Sequence, residues 1–149
     1  TVSSAIVNAP PSLTISLIEL TPPSCYGYSD GSIEVLGGGG TAPYAYDWGI
    51  FQGALFPGRS KGNNYLTLYD ANQCMTQASY AIPEPTPLSV NLVSRVLPTC
   101  FGACNGQLEV RASGGNGAYV YSWDSGSEFA LANDLCAGNH AVSIHDVKG

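Results

Sequence analysis

An all-β fold, built from two tandem copies of one small β-sandwich, is predicted by three observations. Apolar residues recur two apart in short runs, turn-forming residues punctuate those runs, and the whole pattern returns at a fixed offset. The offset is 75 positions, as between Cys25 and Cys100, Gly31 and Gly106, or Trp48 and Trp123. Matches this numerous at one spacing mark an internal repeat, in which each copy is one structural unit.

The elements follow in order. Leu13, Ile15 and Leu17 match Leu88, Val90 and Leu92, and alternation of this kind puts side chains on one face of a strand. Ile33 and Val35 match Leu108 and Val110 as a second strand. Tyr44, Tyr46 and Trp48 match Tyr119, Tyr121 and Trp123; these six aromatics are expected in the core, with each triplet lying mid-sheet. Past the tryptophans the offset becomes 76, so Leu66 and Leu68 match Val142 and Ile144. Between the runs lie clusters such as 21–24, the four glycines 37–40, Pro57-Gly58 and 82–85, which read as turns. No segment holds a helical period; the best candidate, Ser127 to Leu135, is short.

The opening Thr1–Pro10 aligns with Thr76–Pro85, the last strand of the first copy. Residues 1–10 are therefore expected to be the last strand of a preceding repeat or an exchanged strand, with Val2, Ala5, Ile6 and Val7 as its apolar contacts. Residues 11–85 form the first repeat, and residues 86–149 a second that lacks its final strand. An open sheet edge is a template for strand addition, so head-to-tail pairing between chains is expected.

Composition narrows the function classes. Hydrophobic residues make up 44% of the 149, enough for a core, while charged residues are only 11%. The net charge of −6 and five scattered basic residues exclude a phosphate-backbone partner. No apolar run approaches a membrane span of about 18 residues. The glycine run 37–40 has no Lys-Ser/Thr after it and is not a phosphate cradle. Both histidines lie in the second copy, leaving the first without a general base, and Asp47 and Asp70 have no shared carboxylate pair in the second copy. Enzymatic activity is not expected.

In the first copy, Cys25, Gly27, Asp30-Gly31-Ser32, Gly39-Gly40, Pro43-Tyr44, Tyr46, Trp48 and Asp70 through Cys74 stand in one pattern. The second carries Cys100, Gly102, Asn105-Gly106, Gly114-Gly115, Tyr119, Tyr121, Trp123 and Asp146. The pattern resembles the SprB-type repeat of surface adhesins from gliding Bacteroidetes. Asn105 departs from its aspartate, Ala118 from its proline and Gln73 from its glycine. The resemblance implies Ig-like sandwiches, type IX secretion, and display in extracellular arrays serving adhesion and gliding.

If the strands beside Cys25 and Cys74 run antiparallel, as the second and sixth strands of an Ig-like sandwich do, the two thiols meet, and a Cys25–Cys74 disulfide is expected. Cys104 and Cys136 replace Ser29 and Ser60 together, which suggests that they bond to each other in an oxidising compartment. Cys100 then awaits a partner beyond Gly149. Zinc at Cys100 and Cys104 would need Cys136 and His140 as well, and surface histidines are the simpler reading. No cofactor is expected. Calcium is the one candidate, at Asp30, Asp47, Asp70 and Asn72, although turn-capping explains these residues.

The reading is a structural and adhesive module whose partners are neighbouring repeats or identical subunits, and surface glycans or other cells. The alternative is a carbohydrate-binding accessory module, with Tyr26, Tyr28, Phe51 and Phe56 as exposed aromatic candidates.

Overall fold

The computed structural model describes residue 6 and residues 8–148. The chain is all-β, and among the described residues there is no helix. It divides into two compact units, one of residues 1–23 and 27–84, the other of residues 24–26 and 85–149.

Among its described residues the first unit has six strands: β1 (Thr14–Thr21), β2 (Gly31–Gly38), β3 (Ala45–Asp47), β4 (Leu55–Arg59), β5 (Gly62–Tyr69) and β6 (Met75–Ile82). They form two antiparallel sheets of order β1-β2-β4 and β3-β5-β6. Alternation sets the inner faces. Ile33 and Val35 of β2 and Leu66 and Leu68 of β5 are almost wholly buried, while Glu34 between the first pair and Leu36 just after it face out. Each such side chain contributes about 1.5–3 kcal/mol by leaving water. Trp48, Phe56 and Ile82 complete the core, with Ile15, Leu20, Tyr46 and Tyr80 packed on it. The β1–β2 register slips between Leu17 and Glu19, and this turns Leu20, three residues on from Leu17, to the inner face opposite Ile33.

The second unit has β7 (Thr86–Val96), β8 (Gly106–Gly115), β9 (Val120–Trp123), β10 (Leu131–Leu135) and β11 (Val142–His145). Its sheets have orders β10-β8-β7 and β11-β9. Val110, Trp123, Ala132 and Leu135 form the core, flanked by Leu108, Tyr121, Val142 and Ile144. The segment considered for a helix becomes β10, whose Ala132 and Leu135 point inwards while Leu131 points out.

Two expectations need correction. The aromatic triplet does not lie mid-sheet: β3 is a three-residue edge strand paired with β5 alone, and Trp48 follows it. Trp48 reaches the core from that edge because its indole nitrogen donates to the Gly53 carbonyl at 2.9 Å, satisfying the one polar group it buries. The Cys25–Cys74 bridge is not made, and Cys74 is an exposed thiol. The physical reason is strand direction. Gly31 at the start of β2 pairs with Arg59, shortly before β5 begins, while Gly40 beyond β2 abuts Asp70 beyond β5. β2 and β5 thus run the same way, and the chain before β2 and the turn after β5 lie at opposite ends.

Candidate functional site

Three arrangements recur in both units, and one does not. The first ties sheet to sheet. In the first unit the Tyr44 hydroxyl donates to the Gly39 carbonyl at 2.6 Å, and the Tyr46 hydroxyl accepts from the Gly37 amide at 2.9 Å. In the second, Tyr119 donates to Gly114 at 2.7 Å, Tyr121 accepts from Ala112 at 3.4 Å, and the Trp123 indole donates to Phe129 at 2.8 Å. The aromatics are half-buried or buried anchors whose polar ends find backbone partners.

The second is an aspartate knot. Asp70 is buried, with one carboxylate oxygen accepting from the amides of Asn72 and Cys74 at 2.8 and 2.9 Å and the other from Thr41 at 3.0 Å. Burial would raise its pKa, but the amides of Cys74, Thr41 and Asn72 together outweigh this and hold it below the ordinary 3.8. Asp146 repeats the knot, accepting from Asn116 at 2.7 Å and Lys148 at 2.8 Å. Gly40 and Gly115 have positive φ and lie so close to these carboxylates that a Cβ would strike them.

Of the other positions weighed for calcium, Asp47 accepts from the Gly49 amide at 2.7 Å, and the Asn72 side-chain amide donates to the Thr41 hydroxyl at 3.1 Å. These are turn and cap bonds. Among the described residues no group of three or more His, Cys, Asp or Glu is placed to hold a metal ion.

The third arrangement joins the start of the second strand to the end of the strand beside it. In the first unit Gly31 pairs with Arg59; in the second, Gly106 pairs with Leu135, and Cys104 is disulfide-bonded to Cys136 just outside that pair. His140 adds a contact here. Its Nε2 lies 2.9 Å from the Cys136 carbonyl and its Nδ1 3.4 Å from the Asp124 carboxylate. The Cys136 carbonyl raises the His140 pKa above 6.5, burial opposes this, and Asp124 adds to the rise. The His140 ring is thus engaged with the Cys136 carbonyl and the Asp124 carboxylate, and Cys104 and Cys136 are bonded to each other.

The unshared arrangement is the sheet edge. β5 pairs with β3 on one side and along eight residues with β6 on the other. Its counterpart β11 pairs with β9 only, among the described residues. Among the described residues, the core of the second unit holds Val110, Trp123, Ala132 and Leu135, and none of them matches Tyr80 or Ile82. Every residue of β7 is exposed, and Leu88 and Val90 stand at 39% and 47% where the equivalent Leu13 and Ile15 are half-buried. This open apolar edge is the candidate site. The alignment of Leu88 and Val90 with Leu13 and Ile15 marked this face beforehand. Of the proposed exchange segment, Val2, Ala5 and Val7 lie outside the described residues, and Ile6 is exposed.

The aromatic candidates for a sugar platform divide. Tyr26 and Tyr28 are more than half exposed and Phe51 about a third, but Phe56 is buried, stacked on Trp48 with ring centres 4.7 Å apart. The expectation that Phe56 is exposed is corrected: it is an inward residue of β4, whose outward neighbour is Leu55.

Comparison with known proteins bears on both units. Residues 17–49 and 98–128 match the family model described as the SprB repeat, together somewhat less than half of the chain. These are the stretches that carry β2 and its counterpart β8, the paired glycines and the aromatic triplet of each unit. The family is one of structural repeats, not of enzymes, and points to a repeat module of cell-surface proteins. No curated protein and no solved structure gives a significant match. Among the described residues no helix is long and apolar enough to cross a membrane.

Proposed function

We propose that this chain, with an SprB-repeat match in each unit, is a structural and adhesive module of an extracellular, filamentous surface protein, joined head to tail by strand complementation. Two observations support the reading: β11 pairs with β9 only among the described residues, and Leu88 and Val90 of β7 are exposed. β6 is the template for what fills the β11 edge. Thr76, Ala78, Tyr80 and Ile82 are the partly or fully buried positions of β6, and Thr1, Ser3, Ala5 and Val7 stand at the matching places of the opening segment. A strand from a second copy would supply backbone partners to β11 and apolar cover to β7, the two components of β-strand addition. Export by the type IX route and a part in gliding are supported by the family resemblance.

Light scattering and electron microscopy of the purified chain test this. Removal of residues 1–9 is expected to abolish filaments, and a peptide of residues 1–10 is expected to cap growth of the intact chain. Filaments that persist without those nine residues would sink the reading.

A further inference from the structure

The second unit contains a recess lined by Cys25, Tyr26, Pro87, Leu88, Gly115 and Asp146. Asn116, whose own amide is held by Asp146, donates from its side chain to the Ser24 carbonyl at 2.7 Å. The segment 24–26 is thereby built into this unit. The first unit has the equivalent recess, lined by Ser12, Leu13, Gly40, Asp70 and Cys74. Ser12, Leu13 and Gly40 stand at the places of Pro87, Leu88 and Gly115, and Asp70 at that of Asp146. Among the described residues, no segment of the 24–26 type lines the first recess.

The chain carries a second copy of that segment. Thr99, Cys100 and Phe101 match Ser24, Cys25 and Tyr26 at the repeat offset. Phe101 is fully exposed and Cys100 is an exposed thiol. The loop is held in shape by Asn105, which accepts from the Thr99 amide and donates to the Thr99 hydroxyl, both at 3.0 Å. A shaped loop with an uncovered aromatic at its tip is a docking element.

We infer that the Thr99–Phe101 loop of one copy seats in the Asp70 recess of a second copy, and that Cys100 there forms an intermolecular disulfide with Cys74. The Asp70 carboxylate fixes the backbone of Cys74 through its amide at 2.9 Å, so the thiol is presented at a defined place on the recess. Cys25, at the equivalent position to Cys100, lines the matching recess of the second unit. The reaction consumes a small-molecule disulfide oxidant. A thiolate from either cysteine displaces one thiol of the oxidant, the other cysteine displaces the second, and two protein thiols become one disulfide while the oxidant becomes two thiols. The inference rests on the head-to-tail reading above and gives that joint a covalent lock.

Two chains, both with Cys25→Ser, provide the test: one also Cys74→Ser, the other Cys100→Ser and labelled with nitrogen-15. Mixed with oxidised glutathione, they are expected to give a heterodimer on a non-reducing gel, faster than either chain dimerises alone. Mass spectrometry should find one labelled Cys74 peptide joined to one unlabelled Cys100 peptide. Phe101→Ala, which keeps both thiols, should slow the reaction roughly tenfold, the loss expected for an aromatic anchor. Light scattering on the same samples under reductant separates the two ideas. Assembled copies with no heterodimer would overturn the lock alone, whereas monomers with no cross-link would overturn both. A heterodimer that forms no faster than the homodimers, or is indifferent to Phe101, would reduce the reaction to random collision and also overturn the lock.

Discussion

The Tyr46 hydroxyl accepts a hydrogen bond from the Gly37 amide, and this bond crosses from one sheet of the first unit to the other. Gly37 is buried and cannot turn to water for a partner. Tyr46→Phe therefore leaves a donor unsatisfied, and chemical denaturation should show a loss of about 1–3 kcal/mol. The matching Tyr121→Phe breaks a longer bond of 3.4 Å and should cost less.

Phe56 belongs to the core, between the rings of Trp48 and Phe51 and beneath the Arg59 guanidinium, which lies 4.3 Å from its ring centre. Phe56→Ala is expected to destabilise the first unit by about 3–5 kcal/mol, as large-to-small core changes do. Phe51→Ala, at a partly exposed ring, should cost far less. The measurement is thermal unfolding followed by Trp48 fluorescence in a Trp123→Phe chain; equal effects would return Phe56 to the surface.

These residues show what was legible in advance. Ile33, Val35, Leu66 and Leu68 alternate, and alternation survives folding because a strand has only two faces. The pairing of Cys104 with Cys136 was legible from joint replacement of Ser29 and Ser60. Phe56 was not, since it stands in a short strand beside Pro57 with no alternating apolar partner. The Cys25–Cys74 expectation failed because strand direction depends on topology, which local pattern does not encode. The aspartate knots were legible only as turn residues, because their partners Thr41 and Asn116 are about 30 positions away.

Acid should loosen the first unit through Asp70. Its folded-state pKa lies below 3.8, so the stability it contributes is fully present above that value and is lost as pH falls through the lower folded value. Denaturant midpoints taken from pH 6 down to pH 2 should fall in the native chain. Asp70→Asn should flatten that portion of the curve, and an unchanged slope would show that the knot is not what titrates.

The Cys104–Cys136 bridge closes a loop of 32 residues. On loop entropy alone its removal should cost roughly 3–4 kcal/mol. Cys104→Ser with Cys136→Ser should lower the stability of the second unit by this order, with the first unit unchanged. Calorimetry with and without reductant on the native chain gives the same comparison without mutation.

The course of the chain through the first unit has a mechanical meaning. It comes in beside Gly40, whose amide donates to the Pro11 carbonyl at 2.7 Å, and it leaves at Ile82, opposite Gly62, at the other end of the sandwich. A pull on the two ends therefore loads β1 and β6 lengthwise. The ladder of β1 on β2 and that of β6 on β5 are then sheared, and their bonds must give way together instead of unzipping one at a time. A domain threaded in this way suits a tether that carries tension.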